Sequence, residues 1–308
     1  MALYTYGGCL EQSNQVHWMV KDVLGTLDFD SNRPWLPAEL SGGSGIFCLD
    51  AEEKRKLTQV EMGAYAHLFG FLESFVGPLM ADLAQDFQGG DGEAFAALTN
   101  FASEEVKHIQ LFQEVCRRVG IKLGFPLQLV TGQAEVARAV LTKNKGALLL
   151  LTSAIEWFTQ HQYFSAMRLS DELDPLTREV FRCHWLEEAQ HTQLDHLEVL
   201  RHFREMTPPE RQAAVEDFIW LLVAVDGLLE QQAVLDVANL SEHLDRAFTD
   251  EEQQDILVSL LGAKRRAFLE GGVTHPNFLE LFLSVTTSAQ QARVQEAVTL
   301  LLQKSPFH

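Results

Sequence analysis

Six residues of metal-ligand type fall into two matched sets, Glu73, Glu105 and His108, then Glu156, Glu188 and His191, each member of the second lying 83 positions after its counterpart. Both halves read as a single Glu followed 32 residues later by Glu-x-x-His. Residues three apart on a helix share a face, so each Glu-x-x-His would point its two side chains the same way. A Glu from each of two helices plus a Glu-x-x-His from each of two others is the donor pattern of a carboxylate-bridged di-metal site in a four-helix bundle. Glu105 and Glu188 are the candidates to bridge the two ions.

The surroundings of the single acids strengthen this reading. Glu73 lies in HLFGFLESFVGPLM and Glu156 in GALLLLTSAIEWF, each the sole charged residue of an apolar run. A carboxylate buried alone costs several kcal/mol unless it is protonated, paired or metal-bound. The plainer alternative is that each leans to solvent at a helix edge. A further acid precedes each pair, Glu104 and Glu187, again 83 apart. A metal-bound imidazole usually donates its other N–H to a carboxylate, and pseudo-symmetry would carry Glu104 to His191 and Glu187 to His108. The symmetry breaks at His184, four residues before Glu188, whose counterpart is Phe101. One ion would thus gain a third imidazole, leaving the pair unequal. Four carboxylates and two or three imidazoles with no thiolate suit two iron ions, with manganese or a mixed manganese–iron pair as alternatives.

The elements that must position these residues are helical. Residues 1–50 carry Gly7-Gly8, Pro34, Pro37 and SGGSG without a sustained period and read as an irregular arm or lid. After Asp50, a cap with Glu53 three residues on, helices are expected at about 52–87 and 92–119, separated by QGGDG and closed by Gly120. A long connection with a short helix near 133–143 leads to helices at about 146–171 and 175–205, the latter opened by Asp174-Pro175. Two short-turned hairpins joined by one long connection make a ferritin-like four-helix bundle over 51–206. Residues 207–308 would add helices at about 208–238, 250–270 and 286–304, opened by Thr207-Pro208-Pro209-Glu210 and by Thr249 with Glu252. Asp226, in WLLVAVDGLLE, either pairs with a buried base or faces a groove.

The fold class expected is therefore all-α. With 308 residues, 46% of them hydrophobic, the chain can bury a large core. A formal net charge of −19 argues against nucleic acid and anionic membrane surfaces as partners. Cys9, Cys48, Cys116 and Cys183 form no C-x-x-C, and no basic-then-apolar leader opens the chain, so a cytoplasmic location is expected. The apolar runs LLLLTSAI and FIWLLVAV fall short of the roughly 20 residues that cross a bilayer, so no span is expected.

His184-x-x-x-Glu188-x-x-His191, with Glu73, Glu105-x-x-His108 and Glu156, resembles the di-iron arylamine N-oxygenase family. The resemblance implies an O₂-dependent oxygenase acting on a small organic substrate, with those seven residues as ligands and an electron-donor protein or reductase as partner. Ribonucleotide reductase small subunits carry a radical tyrosine four residues after the first histidine, where Phe112 stands here. A fatty-acid or hydrocarbon oxidase, a manganese catalase and a non-catalytic iron or manganese binder remain alternatives. Around the ligands, Phe69, Phe101 and Phe112 suggest an aromatic-lined cavity, Gln160 lies one turn after Glu156, and Gly77 leaves room near Glu73. Pairing of two copies through an outer face is a further expectation.

Overall fold

The computed structural model describes residues 4–305, and its regular elements are helices throughout. Three lie in the N-terminal arm, α1 (Tyr6–Val16), α2 (Val20–Leu24) and α3 (Ala38–Ser41). Next come α4 (Ala51–Leu72), α5 (Val76–Ala84), α6 (Gly92–Leu123), α7 (Gln133–Val140), α8 (Lys145–Gln162) and α9 (Pro175–Glu205). The remainder are α10 (Pro208–Leu244), α11 (Asp250–Arg265), α12 (Gly271–Val273), α13 (Pro276–Val285) and α14 (Ser288–Gln303).

Local chemistry sets the helix starts. Asp50 and Glu53 form a reciprocal capping box at α4, and Asp91 accepts from the amides of Glu93 and Ala94 at α6. Asn144 caps α8, and Asp174 caps α9 ahead of Pro175. Each such cap stabilises its helix by about 1 kcal/mol. Helices α4 and α5, end to end, pair with α6, and α8 pairs with α9, giving the two hairpins of a ferritin-like four-helix bundle. The C-terminal helices cover one side through α10, which lies on α4 and α8.

Three features differ from the sequence expectation. The arm is helical where an irregular segment was expected: Thr5 caps α1, while only Cys9 and Ser13 of that helix are buried, too narrow a stripe to show as periodicity. Helix α6 runs past Gly120 to Gly124, whose φ of 85° supplies the left-handed stop. Helix α13 was not anticipated, although Pro276 opens it and Phe278, Leu281, Phe282 and Val285 form its buried face.

Helix α10 is long and apolar enough by composition to cross a membrane, contrary to what its short contiguous runs suggested, because the apolar stretch continues on both sides of Asp226. Two buried ionic contacts tie it to α11. Asp226 takes a two-pronged bond from Arg265 at 2.6 and 3.0 Å, and Asp236 meets Lys264 at 2.8 Å.

Candidate metal centre

Four elements bring the expected residues to one buried point. Glu73 opens a 3₁₀ turn, Glu73–Phe75, that interrupts the α4–α5 rod. The Ser74 hydroxyl bonds the Phe71 carbonyl at 2.6 Å and the Gln133 amide bonds that of Gly70 at 2.6 Å, satisfying groups beside the break. Helix α6 supplies Glu105 and His108, α8 supplies Glu156, and α9 supplies His184, Glu188 and His191. All seven side chains are at most 1% exposed.

Two overlapping groupings have ligand atoms close enough to hold an ion: Glu73, His108, His184 and Glu188, and Glu105, His108, Glu188 and His191. Glu188 and His108 belong to both. Nε2 of His184 lies 3.1 Å from Glu73 and 2.5 Å from Glu188. Nδ1 of His108 lies 3.0 Å from Glu188 and 3.6 Å from Glu105, and Nδ1 of His191 lies 3.2 Å from Glu105 and also meets Glu188. Glu156 falls outside both groupings; its carboxyl faces that of Glu188.

The outward nitrogens are held by acids from the opposite hairpin. His108 Nε2 meets Glu187 at 2.9 Å, and Lys107 pairs with the other oxygen of that carboxylate. His191 Nε2 meets Glu104 at 3.0 Å, and Glu104 also accepts from Gln190 at 2.8 Å and from the Ser13 hydroxyl of α1. With Nε2 held outward by these acids, Nδ1 of each ring faces Glu105 and Glu188.

The electrostatics are those of an acid cluster. Burial pulls both His108 and His191 down, but Glu188 and the neighbouring carboxylates outweigh it and raise the two rings well above the usual imidazole range. Burial likewise lifts Glu73 to about 7 despite His184, and lifts Glu156 well above the carboxylate range with help from Glu188. Glu188 moves the other way, because three histidines overcome its burial.

Whether the residues fit cations is tested by their unmet bonding capacity. Both oxygens of Glu73, Glu105 and Glu156, Nδ1 of His108 and both nitrogens of His184 have no hydrogen-bond partner, although several sit at ion-pair distance. A buried polar group left without a partner costs about 1–3 kcal/mol, so so many in one place call for another ligand. The donor set is oxygen and imidazole throughout, which suits iron or manganese.

Aromatic rings enclose the cluster. Phe101 stacks on His191 with centroids 3.7 Å apart, and Phe69 and Phe112 stand edge-on to His184 at 5.4 and 4.9 Å. Beyond them lie Phe158, Phe181 and Phe268, with Tyr65 bonded through its hydroxyl to Gln162. Gln160, expected near the site, instead bonds the Trp185 carbonyl. Gly77 marks a close helix crossing rather than open space, since a Cβ there would lie 3.2 Å from the Ala102 carbonyl and 3.4 Å from Glu105.

Sequence reasoning missed Asp195, fully buried and without a hydrogen-bond partner, lifted by burial and by the nearby Glu105 and Glu188 carboxylates. Its position four residues after His191 was the available signal, and its counterpart 83 residues earlier is Phe112. Ser13 and Trp18 were also missed, because partners from a distant arm leave no spacing to read.

An all-α ferritin-like bundle closed around a buried lattice of carboxylates and imidazoles is the scaffold of a di-metal protein, with a donor set that suits iron or manganese. The family model of the p-aminobenzoate N-oxygenase AurF matches residues 22–235, and the chain belongs to that family. Membership makes it a di-metal oxygenase or oxidase, with O₂ and a substrate as its partners. Among solved structures it is similar to two variants of an R2-like ligand-binding oxidase with reconstituted Mn/Fe cofactors. The aerobically reconstituted variant is 14% identical, covers 97% of this chain and 93% of its own, and has a TM-score of 0.43. The anaerobically reconstituted variant has the same identity and coverage with a TM-score of 0.38. No curated protein matches the chain.

Proposed function

We propose that Glu73, Glu105, His108, Glu156, His184, Glu188 and His191 hold the metal pair, and that the chain N-oxygenates an aromatic amine. When bound, the pair supplies the redox chemistry that activates O₂. Glu188, common to both groupings, is the bridging candidate best supported by geometry, with Glu105 beside it. Glu104 and Glu187 fix the ring orientation of His191 and His108. The phenylalanine walls exclude water and give an aromatic ring a matching surface. A further cavity of about 220 Å³, lined by Phe71, Leu72, Ser74, Phe75, Leu151 and Trp220, adjoins the chain neighbours of Glu73 and offers apolar volume beside that turn.

The observation that carries this reading is the convergence of unpartnered oxygens and nitrogens on one point, in a chain of the N-oxygenase family. External electrons are required, from a reductase or carrier protein. Four unpaired cysteines suit a reducing compartment, and the paired acids of α10 suit a core helix rather than a span. The test is anaerobic loading with Fe(II), exposure to O₂ with a panel of arylamines, and mass spectrometry of products. Hydroxylamino, nitroso or nitro products support the proposal. A loaded protein that consumes O₂ yet oxidises no arylamine refutes the N-oxygenation step.

A further inference from the structure

Each imidazole of the centre has an aromatic neighbour, and one of these neighbours differs in kind. Phe101 on His191 and Phe69 and Phe112 at His184 are at most 1% exposed and belong to the bundle. The ring on His108 is Trp18, from the link between α1 and α2. It stacks nearly parallel, with centroids 5.7 Å apart and planes 15° apart. Trp18 is buried at 8% exposure, more than those phenylalanines, and the next residue, Met19, is 46% exposed, so this ring lies just beneath the molecular surface.

The indole is also held in place. Its N–H bonds the Cys183 carbonyl of α9 at 2.9 Å, and the Lys107 ammonium lies 4.1 Å above the ring. Lys107 in turn pairs with Glu187, the acid that holds His108 Nε2. A cation over an aromatic face makes removing an electron from the ring costly, which suits a ring that electrons cross rather than one that becomes a radical. The other four tryptophans pack elsewhere, Trp35 on Phe29, Trp157 on His275, Trp185 on Tyr163 and Trp220 under Lys143.

We propose that Trp18 is the electron port of this protein, coupling a surface-docked one-electron donor of the reduced flavin or iron–sulfur class to the metal pair through His108. The proposal rests on His108 being a metal ligand. Two successive one-electron transfers return the oxidised pair to its reduced state. Each oxidises one donor by one electron, and no covalent bond of Trp18 or His108 forms or breaks. Trp18 is a positioning residue by this account, since it touches neither substrate nor metal.

The experiment compares wild type, Trp18→Phe and Trp18→Leu, each loaded with iron, oxidised, and reduced anaerobically by photogenerated methyl viologen radical. Metal content and the absorbance of the oxidised pair are measured alongside. With metal content equal, Trp18→Leu is expected to be reduced more slowly than wild type, and Trp18→Phe to fall between. If Trp18→Leu loads poorly, rates per bound metal for Trp18→Phe and wild type carry the comparison. Equal rates per metal in wild type and the variants overturn the port. A wild type that binds no metal overturns the ligand reading instead, so the two failures are distinct. An independent readout is tryptophan fluorescence during Fe(II) titration: Trp157 and Trp185, next to Glu156 and His184, quench in every variant, and the amplitude is expected to be smaller in Trp18→Phe than in wild type, whereas an unchanged amplitude places Trp18 outside the reach of the metals.

Discussion

Removing the acids behind the histidines probes the centre without touching a proposed ligand. In Glu104→Ala, His191 Nε2–H loses its acceptor, and the Ser13 hydroxyl and Gln190 amide lose theirs, all in a site 5% exposed or less. In Glu187→Ala, His108 loses its acceptor, but Lys107, 12% exposed at its side chain, can turn to water. Loss of such a carboxylate typically weakens metal binding about 10- to 100-fold, or about 1.4 to 2.7 kcal/mol. Glu104→Ala should lie towards the upper end, because it strands three donors. Gln in either position keeps a neutral acceptor for the ring and should lose less than Ala. The assay is competitive Fe(II) or Mn(II) titration against a chelator of known affinity. Wild-type affinity in both alanine variants would refute the view that these acids orient metal-binding imidazoles.

Two further outcomes concern the scaffold. Gly272→Ala should destabilise by about 1–3 kcal/mol, because its Cβ would sit 2.2 Å from the Ala154 carbonyl on α8, two residues before Glu156; the same change at an open helical site stabilises, so the sign of the shift in denaturation midpoint decides the packing of α12. Glu61 is raised to about 8 by burial and by Asp236, against the pull of Lys264. Its folded state holds a proton that the unfolded chain releases near pH 4.5, so this group's contribution to stability is present at low pH and is lost as pH rises towards 8. Urea denaturation of metal-free protein across that window should show a steeper decline for wild type than for Glu61→Gln, and equal slopes would contradict the buried Glu61–Lys264–Asp236 network.

The clustering of the seven candidate ligands was legible because helical spacing and burial are written locally. Glu105 with His108 share a face at three residues' separation, and the apolar runs around Glu73 and Glu156 announce buried acids. The hairpin order followed from QGGDG and from the caps at Asp50, Asp91 and Asp174. What was not legible depends on tertiary contact. Nothing in YGGCLEQSNQVHW says that Ser13 meets Glu104 or that Trp18 covers His108, since their partners lie 91 and 90 positions away. The break of the α4–α5 rod at Glu73 is also hidden, because Gln133, on the far side of the first hairpin, satisfies a carbonyl beside it. Asp195 was readable from its four-residue step after His191 but is not part of the Glu-x-x-His pattern.

The central claim is that one buried cluster holds two metals with Glu188 common to both. Metal analysis by plasma mass spectrometry, on wild type and Glu188→Ala after identical anaerobic Fe(II) loading and desalting, tests it most directly. About two equivalents of metal are expected per wild-type chain, and loss of both in Glu188→Ala. A wild type that retains no metal, or a Glu188→Ala protein that retains as much as wild type, would contradict it.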